Sequence, residues 1–333
     1  MDLAAILAGV GLLHQLWNAT AKRWPEWCKR NAWASRSLAV VLAVAAFVTA
    51  PVFLRNAWGL YQPEPDYTQR IEYRATRWLA ENMPGARVFA SGSLRFWFNA
   101  WFDNPQVGGG NDMGLLNFVT RPAQWAVLMS HTPEWTVQWL QAMGADAVVV
   151  HEAPSREIYK DFSHPRHLDK LLPVAWSSGE GDTIYRVPRK HPGVARVVEA
   201  ARIERIRAFT PENERETIPA YAAALEDGST AAASSKWLSS DELLVQAVTA
   251  TGQAVTVLVA WDPYWRAYAN GQPLGVRKDA MGFMRIEPPA GAHDIRLAYV
   301  TPRGNIVGRA VSLMAVLGVL GIWVWEWKRK RTL

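Results

Sequence analysis

Residues 38–54, LAVVLAVAAFVTAPVFL, carry no charge and are bracketed by Arg36 and Arg55, and residues 310–325, AVSLMAVLGVLGIWVW, form a second such run. Each run approaches the ~20 apolar residues that a helix needs to cross a bilayer, and a helix keeps every backbone polar group paired where water is absent. The flanks extend them into predicted spans at 37–55 and 307–326. The alternative is a pair of core helices in a soluble protein. A third segment, Leu3–Trp17, is shorter and is interrupted by His14. It fits either a short span or the core of a signal peptide. Ala19-Thr20-Ala21 resembles a cleavage site, but Met1-Asp2 supplies no basic start.

The charge follows these segments. Of the net +6, residues 18–36 hold +4 (Lys22, Arg23, Lys29, Arg30 and Arg36 against Glu26), and residues 326–333 hold +3 (Lys328 to Arg331 against Glu326). Asp2, Arg55 and Arg309 add one more positive charge, which leaves residues 56–307 at −2. A slightly acidic body argues against a nucleic-acid surface, and a chain that is 50% hydrophobic is not disordered. Loops rich in Lys and Arg stay cytoplasmic, so 18–36 and 327–333 are expected inside, and everything from 56 to 306 outside. Trp17, Trp24, Trp27, Trp33, Trp58, Trp323, Trp325 and Trp327 fall near the expected interfaces, where indoles are favoured. The only cysteine, Cys28, lies in the inner loop, so the outer part has no disulfide and depends on its core.

Within the outer part, Ile71, Ala75, Trp78 and Leu79 make one apolar helical face over 67–82, ended by Pro84-Gly85. Arg87–Ala90 then reads as a strand. Residues 134–143 repeat the pattern with Trp135, Trp139, Leu140 and Met143 before Gly144 and the strand 145–150. Residues 183–187 are a third strand candidate. Helix followed by strand, twice, predicts a small α/β domain over 56–194. From 195 to 306 the texture is β. Strands are expected at 243–249 and 254–260, joined as a hairpin through Thr251-Gly252-Gln253, and at 265–269, 274–277, 283–287 and 294–299. The turns Asn270-Gly271 and Pro289-Ala290-Gly291 punctuate an antiparallel β-sandwich, with 228–235 as a loop. The expected fold class is a membrane-anchored α+β protein: three transmembrane helices, a small α/β domain and a C-terminal β-sandwich.

The densest polar and aromatic cluster is Trp97, Trp101, Phe102, Asp103 and Asn104 with Gly108–Gly110, Asn111 and Asp112. Carboxylates and amides can bond sugar hydroxyls while indoles stack on the C–H face of the ring, so Trp97, Trp101, Asp103, Asn104, Asn111 and Asp112 are candidate glycan-binding residues. The same aromatics could instead pack beneath the loop or rest on the bilayer. Trp261 and Trp265 could line a glycan groove or fill the sandwich core. His151, His164 and His167 lack the one-turn helical spacing of zinc motifs and read as solvated loop histidines. No metal or other cofactor is expected. Gly108–Gly110 has no following Lys-Ser/Thr, and Ser91-Gly92-Ser93 lacks the flanking glycines of a nucleophile elbow. Catalytic residues are not identifiable.

The last third resembles the C-terminal region of the YfhO-like bacterial membrane proteins, relatives of the multi-spanning GT-C glycosyltransferases. The resemblance rests on Trp261-Asp-Pro263-Tyr-Trp265-Arg-Ala-Tyr-Ala-Asn270-Gly271, on Ala290-Gly291-Ala-His293-Asp-Ile-Arg-Leu-Ala-Tyr299, and on Gly308 leading into the final apolar run. Residues 75–117 and 140–150 look like the region that follows the transmembrane core in such proteins. That family places its expected catalytic carboxylates in early outer loops, whereas here only two candidate spans precede residue 56 and the opening outer segment offers Asp2 alone. The resemblance implies an accessory or C-terminal module of a GT-C-like system in a bacterial inner membrane, acting on envelope glycans or polyprenyl-linked sugars. It also implies a polytopic partner carrying the missing spans, as from a split gene or a truncated chain. The alternative is a non-enzymatic module that binds a glycan or a protein. The expected partners are the bilayer, that polytopic protein, and a glycan or lipid-linked sugar, with no nucleic acid.

Overall fold

The computed structural model describes residues 30–60, 66–110 and 115–331. The expected first span, 3–17, lies outside the described residues. The chain divides into two compact units, one made of the terminal segments up to Pro63 and from Thr301, the other Glu64–Val300.

The first unit contributes the helices Ala32–Leu60 and Arg303–Arg331. The stretches Ala32–Ala57 (26 residues) and Arg303–Trp325 (23 residues) are long and apolar enough to cross a membrane. At 1.5 Å per residue they reach about 39 and 34 Å, against a hydrocarbon core of ~30 Å. Neither buries its apolar side chains within the protein; Phe47, for example, is 81% exposed.

The second unit is α+β, with one mixed and two antiparallel sheets. The mixed sheet has the order β1 (Val88–Phe89), β2 (Ala147–His151), β4 (Asp182–Arg186), β3 (Val174–Ser177), in which only β1 and β2 are parallel. Alternation along β1 and β2 sends Val88, Ala147 and Val149 to one face and Phe89, Val148 and Val150 to the other. The first face is covered by the Ile71–Asn82 helix through Ile71, Ala75 and Leu79. The second belongs to a larger core shared with the helices Thr120–Met129, Pro133–Ala142 and Glu214–Leu225.

A four-stranded antiparallel sheet has the order β11 (Val276–Lys278), β12 (Phe283–Ile286), β8 (Gln253–Ala260), β5 (Ala195–Glu199). A five-stranded one has the order β10 (Gln272–Leu274), β9 (Trp265–Ala269), β13 (Gly291–Tyr299), β7 (Glu242–Thr249), β6 (Ser234–Ser239). Val197, Val255, Val257, Met284 and Ile286 of the first sheet share one buried cluster with Leu243, Val245, Trp265, Ile295 and Leu297 of the second.

The expected hairpin between 243–249 and 254–260 is corrected. Strand β7 pairs with β13 and β6, whereas β8 pairs with β12 and β5, so the turn at Gly252 carries the chain from one sheet to the other. The reason lies in burial. Along β7 only alternate residues are fully buried, but β8 buries Val255 and Val257 against the other sheet and Ala254 and Leu258 against the helical core. A strand apolar on both faces belongs in a middle layer. The expected strand at 274–277 is likewise broken at Gly275, with β10 and β11 in different sheets. Ser234 and Ser235, expected in a loop, pair with β7.

Candidate functional site

The chain enters the second unit through a short turn at Tyr67–Gln69, capped by Asp66, whose carboxylate accepts the Thr68 backbone N–H at 3.0 Å. This turn sets Tyr67 beside the aromatics that follow β1. Trp101 lies between two near-parallel rings: Trp97 at 6.0 Å and 18°, and Tyr67 at 5.8 Å and 4°. Tyr73, on the Ile71–Asn82 helix, meets Tyr67 and Trp101 edge-on at 5.3 and 5.5 Å and touches Phe102 at 5.4 Å. Trp97 and Tyr67, at the two ends of the stack, are 49% and 51% exposed. The result is an aromatic ladder with open ring surface at both ends and a fixed ring in the middle, offering apolar faces without a charge.

Asp103 is exposed beside this ladder. Asn104 is buried: its amide donates to the Thr76 carbonyl at 3.1 Å, and its own carbonyl accepts from Asn99 at 2.7 Å, so it holds the loop to the helix. Asn111 and Asp112 lie outside the described residues. Trp265 is buried between the two antiparallel sheets against Tyr299, and Trp261 is half-buried on the same core, its indole N–H directed at the Val276 carbonyl. Neither is brought to the ladder's contacts. Tyr67 and Tyr73 were not among the sequence candidates. No local spacing links Tyr67 to Trp101; only the fold of the entering turn does.

The histidines require a correction. His151 is not in a loop: it ends β2, is 1% exposed, and pairs across the sheet with Asp182. Its Nδ1 lies 2.8 Å from Asp182 Oδ1. The Ser155 hydroxyl also donates to Oδ1, and that of Ser178 donates to Oδ2 at 2.8 Å. Burial pushes the Asp182 carboxyl up, but the hydrogen bonds from His151, Ser155 and Ser178 outweigh it and hold it below the ordinary carboxylate range. This is not a hydrolase triad, because the serine spends its proton on the aspartate while His151 Nε2 is buried with no partner among the described residues. His167 is half-buried, with Nδ1 at the His164 carbonyl and Nε2 3.0 Å from the Thr136 hydroxyl. Burial lowers its pKa. The His164 ring lies 4.1 Å from that of His131, tilted by 41°. Among the described residues no group of three or more His, Cys, Asp or Glu is arranged to hold a metal ion.

A second polar cluster closes the carboxyl ends of the parallel strands. The Ser93 hydroxyl contacts Glu157 Oε2 at 2.6 Å and Glu72 Oε1 at 3.0 Å, and the Gly92 N–H donates to Asp161 at 2.8 Å. Burial raises the Glu72 carboxyl, but Arg70 at 3.0 Å keeps it low. Glu72 and Glu157 are buried, so the cluster ties the Ser91–Ser93 turn in place rather than opening to a ligand.

Compared with known protein families, with curated proteins and with solved structures, the chain matches none.

Proposed function

We propose that this chain is a membrane-anchored extracytoplasmic module that holds a glycan or lipid-linked sugar on the aromatic ladder, within a GT-C-like glycosyltransferase system of a bacterial inner membrane. The observation that carries this reading is the stack of Trp97, Trp101 and Tyr67 with half-exposed outer rings and Asp103 alongside. Sugars bind through just this combination: apolar ring faces against C–H surfaces, with a carboxylate taking hydroxyl protons at the margin. The two sheets that share one core are read as a β-sandwich within the same unit. The two apolar helices, flanked by the basic segments, support a multi-pass anchor with Glu64–Val300 outside.

Pull-down of a polyprenyl-linked sugar by the detergent-solubilised chain tests the ladder. Trp97→Ala is expected to reduce retention about tenfold, since a stacked ring contributes on the order of 1–2 kcal/mol, and Asp103→Ala to reduce it by a smaller factor. Retention unchanged in both variants would dismiss the ladder as the binding surface.

A further inference from the structure

A cavity of ≈ 580 Å³ opens at the amino-terminal ends of β1 and β2, lined by Asn82 and Gly85, Asp146, Arg186 and Arg189, Gly193, and Ser234 and Ser235. One of its lining arginines, Arg189, is backed by two further buried guanidiniums. Arg189 is 2% exposed; its Nε donates to Glu226 at 2.5 Å, its Nη1 donates to the Ala145 carbonyl at 3.0 Å and lies 3.6 Å from Asp146, and its Nη2 has no partner among the described residues. Arg196, on β5, is fully buried. Its Nη1 donates to the carbonyls of Pro192 and Ala195, while Nε and Nη2 find no acceptor among the described residues. Thr256, its partner across the β5–β8 ladder, also has a buried hydroxyl with no partner among the described residues. A third buried guanidinium, Arg87, donates to the Met143 carbonyl at 3.0 Å.

Against these three cations stand two carboxylates. Asp146 already accepts the Arg87 backbone N–H at 2.9 Å and the Gly193 N–H at 3.3 Å, and Glu226 also takes the Lys190 N–H. The cluster therefore carries one positive charge more than its acids neutralise, and its spare donors are planar guanidinium forks. Burial pulls Arg87 to about 10 and Arg196 to about 9, which leaves both protonated at neutral pH. A buried charge in excess is costly unless paired, and the guanidinium fork matches the oxygens of a phosphate.

We infer that this cavity binds an oxyanion of the phosphate or pyrophosphate class, taken on Arg186 and Arg189 with the hydroxyl of Ser235, and favoured by the positive field of Arg87 and Arg196 behind them. The site does not rest on the glycan reading. The cavity touches Asn82, at the end of the Ile71–Asn82 helix, whereas the ladder uses Tyr73 in its first turn.

Isothermal titration of inorganic pyrophosphate into the detergent-solubilised full chain tests it, with a parallel titration of polyprenyl phosphate in mixed micelles. Pyrophosphate or polyprenyl phosphate is expected to bind, to weaken with added salt, and to bind about tenfold more weakly to Arg189→Lys, which keeps the charge but loses the fork. Arg186→Gln, an exposed position, gives the same direction of effect and keeps the test open where Arg189→Lys fails to fold. Binding of pyrophosphate alone assigns a free ligand, and binding of polyprenyl phosphate alone assigns a lipid headgroup. No binding of either anion, or equal binding to wild type and folded Arg186→Gln and Arg189→Lys, overturns the inference.

Discussion

Trp101 sits in the middle of the stack and holds the outer rings, Trp97 and Tyr67, which are half-exposed. The same division between holding and displaying recurs at single residues elsewhere. Gly92 has φ +67, and a Cβ there would fall 2.7 Å from Glu157 Cδ, a side chain held by Ser93 and the Tyr159 N–H. Gly92→Ala therefore pays both backbone strain and a clash, and is expected to lower stability by about 2–4 kcal/mol, read as the shift in urea midpoint. Asp182 gives a pH prediction. Its folded-state carboxyl lies below the ~3.9 of an unfolded chain, so its contribution is complete above that value and is lost as pH falls through the lower folded value. Thermal melts between pH 6 and 3 should show the wild type losing stability along that limb and Asp182→Asn, less stable at pH 6, losing less of it. Parallel acid limbs for the two proteins would contradict the assignment. What the sequence shows of these residues is uneven. The Asn270-Gly271 turn is readable, because both residues take positive φ (49° and 81°) as a two-residue hairpin requires. His151 was not, since its burial depends on an aspartate thirty-one residues later reaching it across the sheet.

At the scale of elements, legibility follows how local the cause is. The Ile71–Asn82 and Pro133–Ala142 helices announce themselves by one apolar face ending in glycine, and β9 by strict alternation. The Glu214–Leu225 helix, whose buried face carries Ile218, Tyr221, Ala222 and Leu225, was hidden because Pro219 sits inside it. The apparent β7–β8 hairpin failed because a turn fixes the direction of the chain but not the partner of each strand. Strand β8 found a better place between two cores, where both of its faces are covered. Trp139 shows what holds the helical core. It is fully buried, its indole N–H donates to Glu214 at 3.2 Å, and Trp135 and Phe209 meet it edge-on at 6.2 and 5.5 Å. Trp139→Ala should cost about 3–5 kcal/mol with an unchanged urea slope, as expected for a cavity in a cooperative core. A shift under 1 kcal/mol would mean that the helices are not joined through this residue.

For the whole molecule, the net +6 describes no single surface. It resolves into basic segments beside apolar runs and a body of −2 over residues 56–307, the distribution on which the proposed orientation rests. The two described helices, 26 and 23 residues over their apolar stretches, have the length for crossing, and the proposed orientation takes its direction from the basic segments. Both the aromatic ladder and the oxyanion cavity belong to Glu64–Val300, and the proposed extracytoplasmic glycan module requires that unit to face away from the cytoplasm. The most direct measurement is therefore a pair of reporter fusions, alkaline phosphatase and green fluorescent protein, joined after residue 130 and after the last residue. The account predicts phosphatase activity without fluorescence at residue 130 and fluorescence without phosphatase activity at the C-terminus. The same side for both positions would contradict it.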